Sequence, residues 1–203
     1  MIGIVDYGAG NLKSVQNALA FIGAEYFITS ESTELAAAQK VILPGVGSFG
    51  DAMNSLRKDN LDTAILDFIA TGKPFLGICL GLQVLFEESA ESPGVPGLGV
   101  FAGKVSRFPA GTGLKVPHIG WNSLNIRKPN GILTDIPDQS YVYFVHSYYV
   151  CAADQSIVSA TTDYGLEFHA AVASANVQAT QFHPEKSGDI GIAMLRNFVE
   201  PRE

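Results

Sequence analysis

Apolar residues recur along the first half of the chain in two alternating rhythms. Met1–Asp6 is a nearly continuous apolar run, which predicts a strand buried on both faces. Leu12–Ile22 places Leu12, Val15, Leu19 and Ile22 on one helical face, with Lys13 and Gln16 off it, and Gly23 stops the helix. Glu25–Ile28 predicts a strand, Ser32–Gln39 a short helix and Val41–Leu43 a third strand. Asp51–Lys58 and Leu61–Thr71 predict helices, and Pro74–Ile78 another buried strand. Leu80–Glu88, apolar at Leu82, Leu85 and Phe86, predicts the helix after it. Strands alternating with helices imply a parallel sheet with helices on its faces.

Past Glu88 the rhythm changes. Pro93–Gly99 is a turn-rich loop, and short alternating segments follow at Val100–Phe108, Trp121–Ile126, Tyr141–Val150, Ser156–Tyr164, Glu167–Ala173 and Val177–Phe182. Asp163-Tyr164-Gly165 and Ser174-Ala175-Asn176 predict hairpin turns. Asp189–Val199 predicts a closing helix with Ile192, Leu195 and Phe198 inward. The fold class expected is α/β: a mostly parallel central sheet flanked by helices, with an antiparallel, β-rich C-terminal half. No repeat, low-complexity tract or linker interrupts the chain, so residues 1–203 are expected to form a single domain.

Composition narrows the function. A formal net charge of −7 without a Lys/Arg cluster argues against a nucleic-acid surface. No apolar run approaches membrane-spanning length, and MIGIVDYG enters a strand at once rather than a signal peptide. The two cysteines, Cys79 and Cys151, provide no disulfide framework. A cytoplasmic protein is expected. The histidines and cysteines lack metal-ligand spacing, so neither metal nor other cofactor is expected.

Candidate chemistry centres on Gly77-Ile78-Cys79-Leu80-Gly81, at the predicted strand–helix junction. This is the pattern of a nucleophile elbow, with Cys in place of Ser. Small flanking residues let the turn close tightly, and a helix N-terminus beneath the sulfur is expected to favour thiolate. A buried strand-end cysteine is the plain alternative. Pro44-Gly45-Val46-Gly47 leaves a strand at its carboxyl end, where parallel sheets place ligands, and offers backbone N–H groups for an oxyanion. His183-Pro184-Glu185 supplies a base and a carboxylate two residues apart, which on an extended backbone face the same way. Nucleophile, base and orienting acid are the three types a cysteine hydrolase needs. His118, His146 and His169 compete as bases, but none has a carboxylate two residues on. Gly8-Ala9-Gly10 invites a dinucleotide reading, yet the third glycine of that fingerprint would fall at Lys13.

Gly77–Gln83 and His183-Pro184-Glu185 resemble the class I, triad-type glutamine amidotransferases, whose fold is flavodoxin-like. Asp6–Val15, Val116–Asn122, Tyr143–Tyr149 and His183–Ser187 are similar, within that family, to glutaminase subunits of imidazole glycerol phosphate synthases. The resemblance implies glutamine hydrolysis by Cys79, His183 and Glu185, with backbone N–H groups of Leu80 and of Val46 or Gly47 as the oxyanion hole. It implies glutamine binding by Gly47, Gln83, Ser147 and Tyr148; an ordinary exposed helix position is the plain alternative for Gln83. It further implies ammonia transfer to a (β/α)8-barrel cyclase partner, with Asn11, Trp121 and Lys186 as interface candidates. Core packing is the alternative for Trp121. A glutaminase serving another synthase, a peptidase-like hydrolase and a non-catalytic module of the same fold stay open at this stage.

Overall fold

A computed structural model describes residues 1–109 and 114–200. The chain opens with β1 (Ile2–Val5), α1 (Leu12–Phe21), β2 (Tyr26–Thr29), α2 (Ser32–Ala37), β3 (Lys40–Gly45), α3 (Phe49–Lys58) and α4 (Leu61–Ala70). It continues through β4 (Phe75–Cys79), α5 (Leu80–Gln83), β5 (Phe86–Ser89) and β6 (Phe101–Arg107). The rest is β7 (His118–Ser123), β8 (Asn125–Ile126), β9 (Tyr141–His146), β10 (Tyr148–Ala152), β11 (Val158–Asp163), β12 (Glu167–Ser174), β13 (Val177–Thr180) and α6 (Gly188–Val199).

Among the described residues the main sheet runs β2-β1-β3-β4-β13-β12-β10-β6-β5, with β8 and β11 beside this path. From β2 to β13 every pairing is parallel. The central strands β1, β3 and β4 are almost wholly apolar because both their faces are covered. Ile4, Ile42, Leu76 and Ile78 pack with Val15 and Leu19 of α1 and Met194, Leu195 and Phe198 of α6. Val5, Val41, Leu43 and Phe75, one position out of phase, pack with Leu35, Met53, Leu56, Ile65 and Phe68 from α2, α3 and α4. The predicted hairpins join β11 to β12 and β12 to β13, both antiparallel. Of the residues expected inward on α6, Leu195 and Phe198 are buried and Ile192 is half-buried.

Four expectations need correction. The helix after Cys79 lasts one turn, and Phe86–Ser89 is strand β5. The carbonyls of Val84 and Leu85 accept from the amides of Leu98 and Phe101, so a loop distant in sequence takes the positions a longer helix would use. Trp121–Ile126 belongs to two strands, β7 and β8. Tyr141–Val150 is broken at Ser147: β9 pairs with β7 in a separate small sheet, while β10 enters the main sheet. Finally, Pro184–Lys186 is a 3₁₀ turn rather than an extended segment.

Candidate active site

Cys79 ends β4 with φ 56° and ψ −104°, a left-handed conformation that a non-glycine residue holds only when its surroundings impose it. The imposing groups are visible. A Cβ on Gly81 would lie 1.9 Å from the Leu43 carbonyl oxygen, and one on Gly77 2.7 Å from the Gly81 carbonyl oxygen. The elbow glycines are thus required by close backbone approach. Cys79 is 7 % exposed, at the C-terminal edge of the parallel strands. The helix beneath it has four residues. Its dipole is correspondingly small, so the expected stabilisation of a thiolate must come mainly from elsewhere.

His183 is the ionisable side chain that comes up beside the sulfur. It follows β13, which pairs in parallel with β4, so the two functional segments leave neighbouring strands at the same end. Its Nδ1 lies 2.7 Å from Glu185 Oε1, and both side chains are 2 % exposed. The 3₁₀ turn, not strand alternation, brings Glu185 back to the ring. Burial alone pushes the His183 pKa down. The Cys79 sulfur and the Glu185 carboxylate overcome this and hold it up at about 10. The contact with sulfur is looser than a formed hydrogen bond, because Nε2 has no partner of hydrogen-bond geometry among the described residues.

The competing histidines are committed elsewhere. His146 Nδ1 lies 2.8 Å from the Tyr148 carbonyl oxygen, which accepts only, so this nitrogen carries the proton. His146 Nε2 then accepts from His118 Nδ1 at 3.0 Å, and His118 Nε2 accepts from Asn122 Nδ2 at 3.4 Å. Burial lowers the pKa of His118 to about 4 and of His146 to about 3, so both rings are neutral. His169 accepts from the Ala152 amide at 3.1 Å, on another part of the sheet.

A cavity of about 270 Å³ opens beside Cys79. Val46, Gly47, Leu80, Gln83, Ser147, Tyr148 and His183 all line it, so the structure brings these sequence-predicted residues together. Gly47 has φ 99°. Gln83 is 4 % exposed rather than a surface helix residue. Its Nε2 donates to the Tyr148 carbonyl at 3.0 Å and to Gln181 Oε1 at 3.2 Å. With both amide hydrogens committed, Oε1 is the atom left to accept from a bound molecule. Glu91 also lines the cavity while its Oε2 accepts from the Phe49 amide at 2.8 Å. Nothing in its neighbourhood, Ala90-Glu91-Ser92, distinguishes it in sequence. His146 reaches the same wall as a scaffold group, and Gln181 lies behind Cys79.

The interface candidates lie outside this cavity's lining. On the small sheet, residues alternate: His118, Val142, Phe144 and His146 are buried, while Ile119, Trp121 and Tyr141 are exposed. Trp121 is 55 % exposed, which excludes core packing; it meets Tyr143 edge-on at 6.0 Å. Asn11 and Lys186 are half-buried.

Comparison with known proteins agrees with this architecture. Residues 3–201 match the glutamine amidotransferase class-I family. The chain is 54 % identical over 200 residues to the imidazole glycerol phosphate synthase subunit HisH of Methanothermobacter thermautotrophicus, covering 98 % of each. It is 52 % identical to the HisH subunit of Rhodopirellula baltica, covering 98 % of this chain and 97 % of that one. Among solved structures, a glutamine amidotransferase superposes with a TM-score of 0.78 at 21 % identity, covering 98 % of this chain and 97 % of that one. The structure of PurLQS from Thermotoga maritima does so with a TM-score of 0.77 at 19 % identity, covering 97 % and 96 %. Both share its fold. A parallel sheet that delivers an elbow cysteine and a carboxylate-paired histidine to one cavity, matched end to end by that family, means that the chain belongs to the class I glutamine amidotransferases.

Proposed function

We propose that this chain is the glutaminase subunit of an imidazole glycerol phosphate synthase, and that Cys79, His183 and Glu185 carry the hydrolysis. The observation that supports the catalytic assignment most is the division of the four histidines. His183 alone combines a carboxylate on Nδ1 with an uncommitted Nε2 beside the sulfur, among the described residues.

Cys79 passes its proton to His183 Nε2 and attacks the side-chain carboxamide carbon of glutamine. The tetrahedral oxyanion accepts from the backbone N–H of Leu80 and of Val46 or Gly47. His183, held by Glu185, returns the proton to the departing nitrogen and ammonia leaves. A thioester remains on Cys79. His183 then takes a proton from water, which attacks the thioester, and glutamate leaves as the sulfur is released. Gln83 Oε1, Gly47 and the Ser147–Tyr148 backbone hold the substrate. Glu91 is the carboxylate on the cavity wall available to pair with the α-ammonium of glutamine.

The ammonia passes to a (β/α)8-barrel cyclase, which uses it to form imidazole glycerol phosphate and aminoimidazole carboxamide ribonucleotide in histidine biosynthesis. The exposed apolar face formed by Ile119, Trp121 and Tyr141 supports a docked partner there. Asn11 and Lys186 complete the proposed contact. Cys79→Ala tests the division of labour. Glutamate formation by the complex is expected to disappear while ring closure with free ammonium persists. Loss of both in a folded complex overturns it.

A further inference from the structure

Gln181 is 0 % exposed and is absent from the cavity wall, yet its side chain meets the nucleophile: Nε2 lies 3.7 Å from Cys79 Sγ. Which amide atom faces the sulfur follows from neighbouring chemistry. The Tyr148 carbonyl only accepts, so the Gln83 atom 3.0 Å from it is the nitrogen. That nitrogen's second hydrogen needs an acceptor, so the Gln181 atom 3.2 Å away is Oε1. Gln181 Nε2 is thereby turned toward Cys79 as a donor. The Tyr148 carbonyl is fixed from its other side by His146 Nδ1, itself backed by His118. An unbroken series of directional bonds holds the Gln181 amide in one orientation.

We propose that Gln181 is a further catalytic residue of the glutaminase reaction, donating an N–H···S hydrogen bond that stabilises the Cys79 thiolate. The proposal rests on the reading of Cys79 as nucleophile. Thiolate forms twice in the cycle: when His183 Nε2 takes the thiol proton, and when the thioester C–S bond breaks and the sulfur leaves with the electron pair. In both steps the negative charge falls on an atom that already faces a buried donor. No substrate contact is involved, so the effect belongs in turnover rather than in glutamine binding.

Two variants separate this from packing. Gln181→Glu keeps the acceptor for Gln83 but removes the donor to sulfur; Gln181→Met removes both at similar length. Each is expected to lower kcat for glutamine about tenfold or more, the worth of one hydrogen bond to a charged group; KM is expected to stay within about twofold in Gln181→Glu, which keeps the acceptor that orients Gln83. Alkylation of Cys79 by iodoacetamide, followed against pH, is expected to have its midpoint moved upward in both. The other titratable groups in reach are His183 with Glu185, Tyr7 beneath the elbow, and His146 and Glu91 on the cavity wall; none is substituted in these variants, and Gln181→Met, which unlike Gln181→Glu adds no carboxylate beside the sulfur, is the one whose upward shift reads the lost donor alone. Nitrogen-15 NMR of the unsubstituted chain avoids any folding problem. The Gln181 side-chain N–H signals are expected to shift as Cys79 ionises and to be insensitive to pH over that range in Cys79→Ala. Unchanged kcat and alkylation profile in a folded variant, or Gln181 signals that ignore Cys79, overturn the proposal. Failure of a glutamine-analogue chloroketone to label Cys79 in the unsubstituted protein is a separate result, and it overturns the nucleophile assignment instead.

Discussion

His183 and Glu185 form a buried pair whose two members need each other. Removing the carboxylate leaves an imidazole that burial drives toward its neutral form. Glu185→Gln is therefore expected to bring the His183 pKa down from about 10, which titration of its ring signals by NMR measures. An unmoved value would mean that Glu185 does not set the charge of this ring. In catalysis, His183→Ala is expected to cost more than Glu185→Ala, with the orienting group still worth on the order of thousands-fold in rate. Steady-state glutamate release ranks them. These residues were legible in sequence because each belongs to a short local pattern. Glu91 and Gln181 were not, because what marks them out is what a distant backbone or side chain places against them.

The elbow and the small sheet show how elements carry such roles. The Leu43 carbonyl leaves no space for a side chain at Gly81, where β3 passes the first turn of α5. Gly81→Ala is expected to destabilise the fold by about 3 kcal/mol, as for an overpacked core, measurable by denaturant unfolding. A cost below about 1 kcal/mol would show that the elbow yields easily. On β7 and β9, burying two neutral histidines makes the fold sensitive to acid. Their folded-state pKa values, about 4 for His118 and about 3 for His146, lie below the unfolded value of about 6.5. As pH falls from there, the unfolded chain takes up protons that the folded chain refuses, and stability declines until the folded values are passed. His183 acts in the opposite sense: its contribution is complete below about pH 6.5 and is lost as pH rises through about 10. Unfolding measured between pH 6.5 and 4 is expected to show proton uptake that falls in His118→Gln. Equal pH slopes in the two proteins would remove this account.

At the scale of the molecule, the cavity beside Cys79 and the exposed face of the small sheet share one strand pair: Val145 and His146 of β9 line the cavity, while Trp121 of β7 faces outward. The His183 amide donates to the Tyr143 carbonyl, tying β9 to the His183–Glu185 segment. A partner docked on the proposed face would therefore bear on the strand that borders the cavity, and the Val46–Gly47 peptide is the proposed point of control. Gly47 holds a positive φ that leaves the peptide before it permissive. One oxyanion donor is worth about a hundred- to a thousand-fold in rate. The chain by itself is expected to be nearly idle, with kcat rising by that order when the cyclase and its nucleotide are bound. Glutamate production by the chain alone, with partner, and with partner plus nucleotide tests this; equal turnover numbers in all three would exclude partner control.

The sequence by itself determined the alternating strands and helices of the N-terminal half, the hairpins, the elbow and the His-Pro-Glu segment. All of these depend on near-neighbour periodicity, turn chemistry or residue type. Tertiary structure decided where α5 stops, because the carbonyls of Val84 and Leu85 accept from residues beyond the Pro93–Gly99 loop. It decided the break at Ser147, because the two halves of that apolar run find partners in different sheets. It exposed Trp121 while burying His118 on the opposite face of the same strand. It also occupied the rivals of His183: a ring nitrogen is available for proton transfer only if no other group already holds it, and the Tyr148 carbonyl, far from His183 in sequence, takes His146, which in turn takes His118.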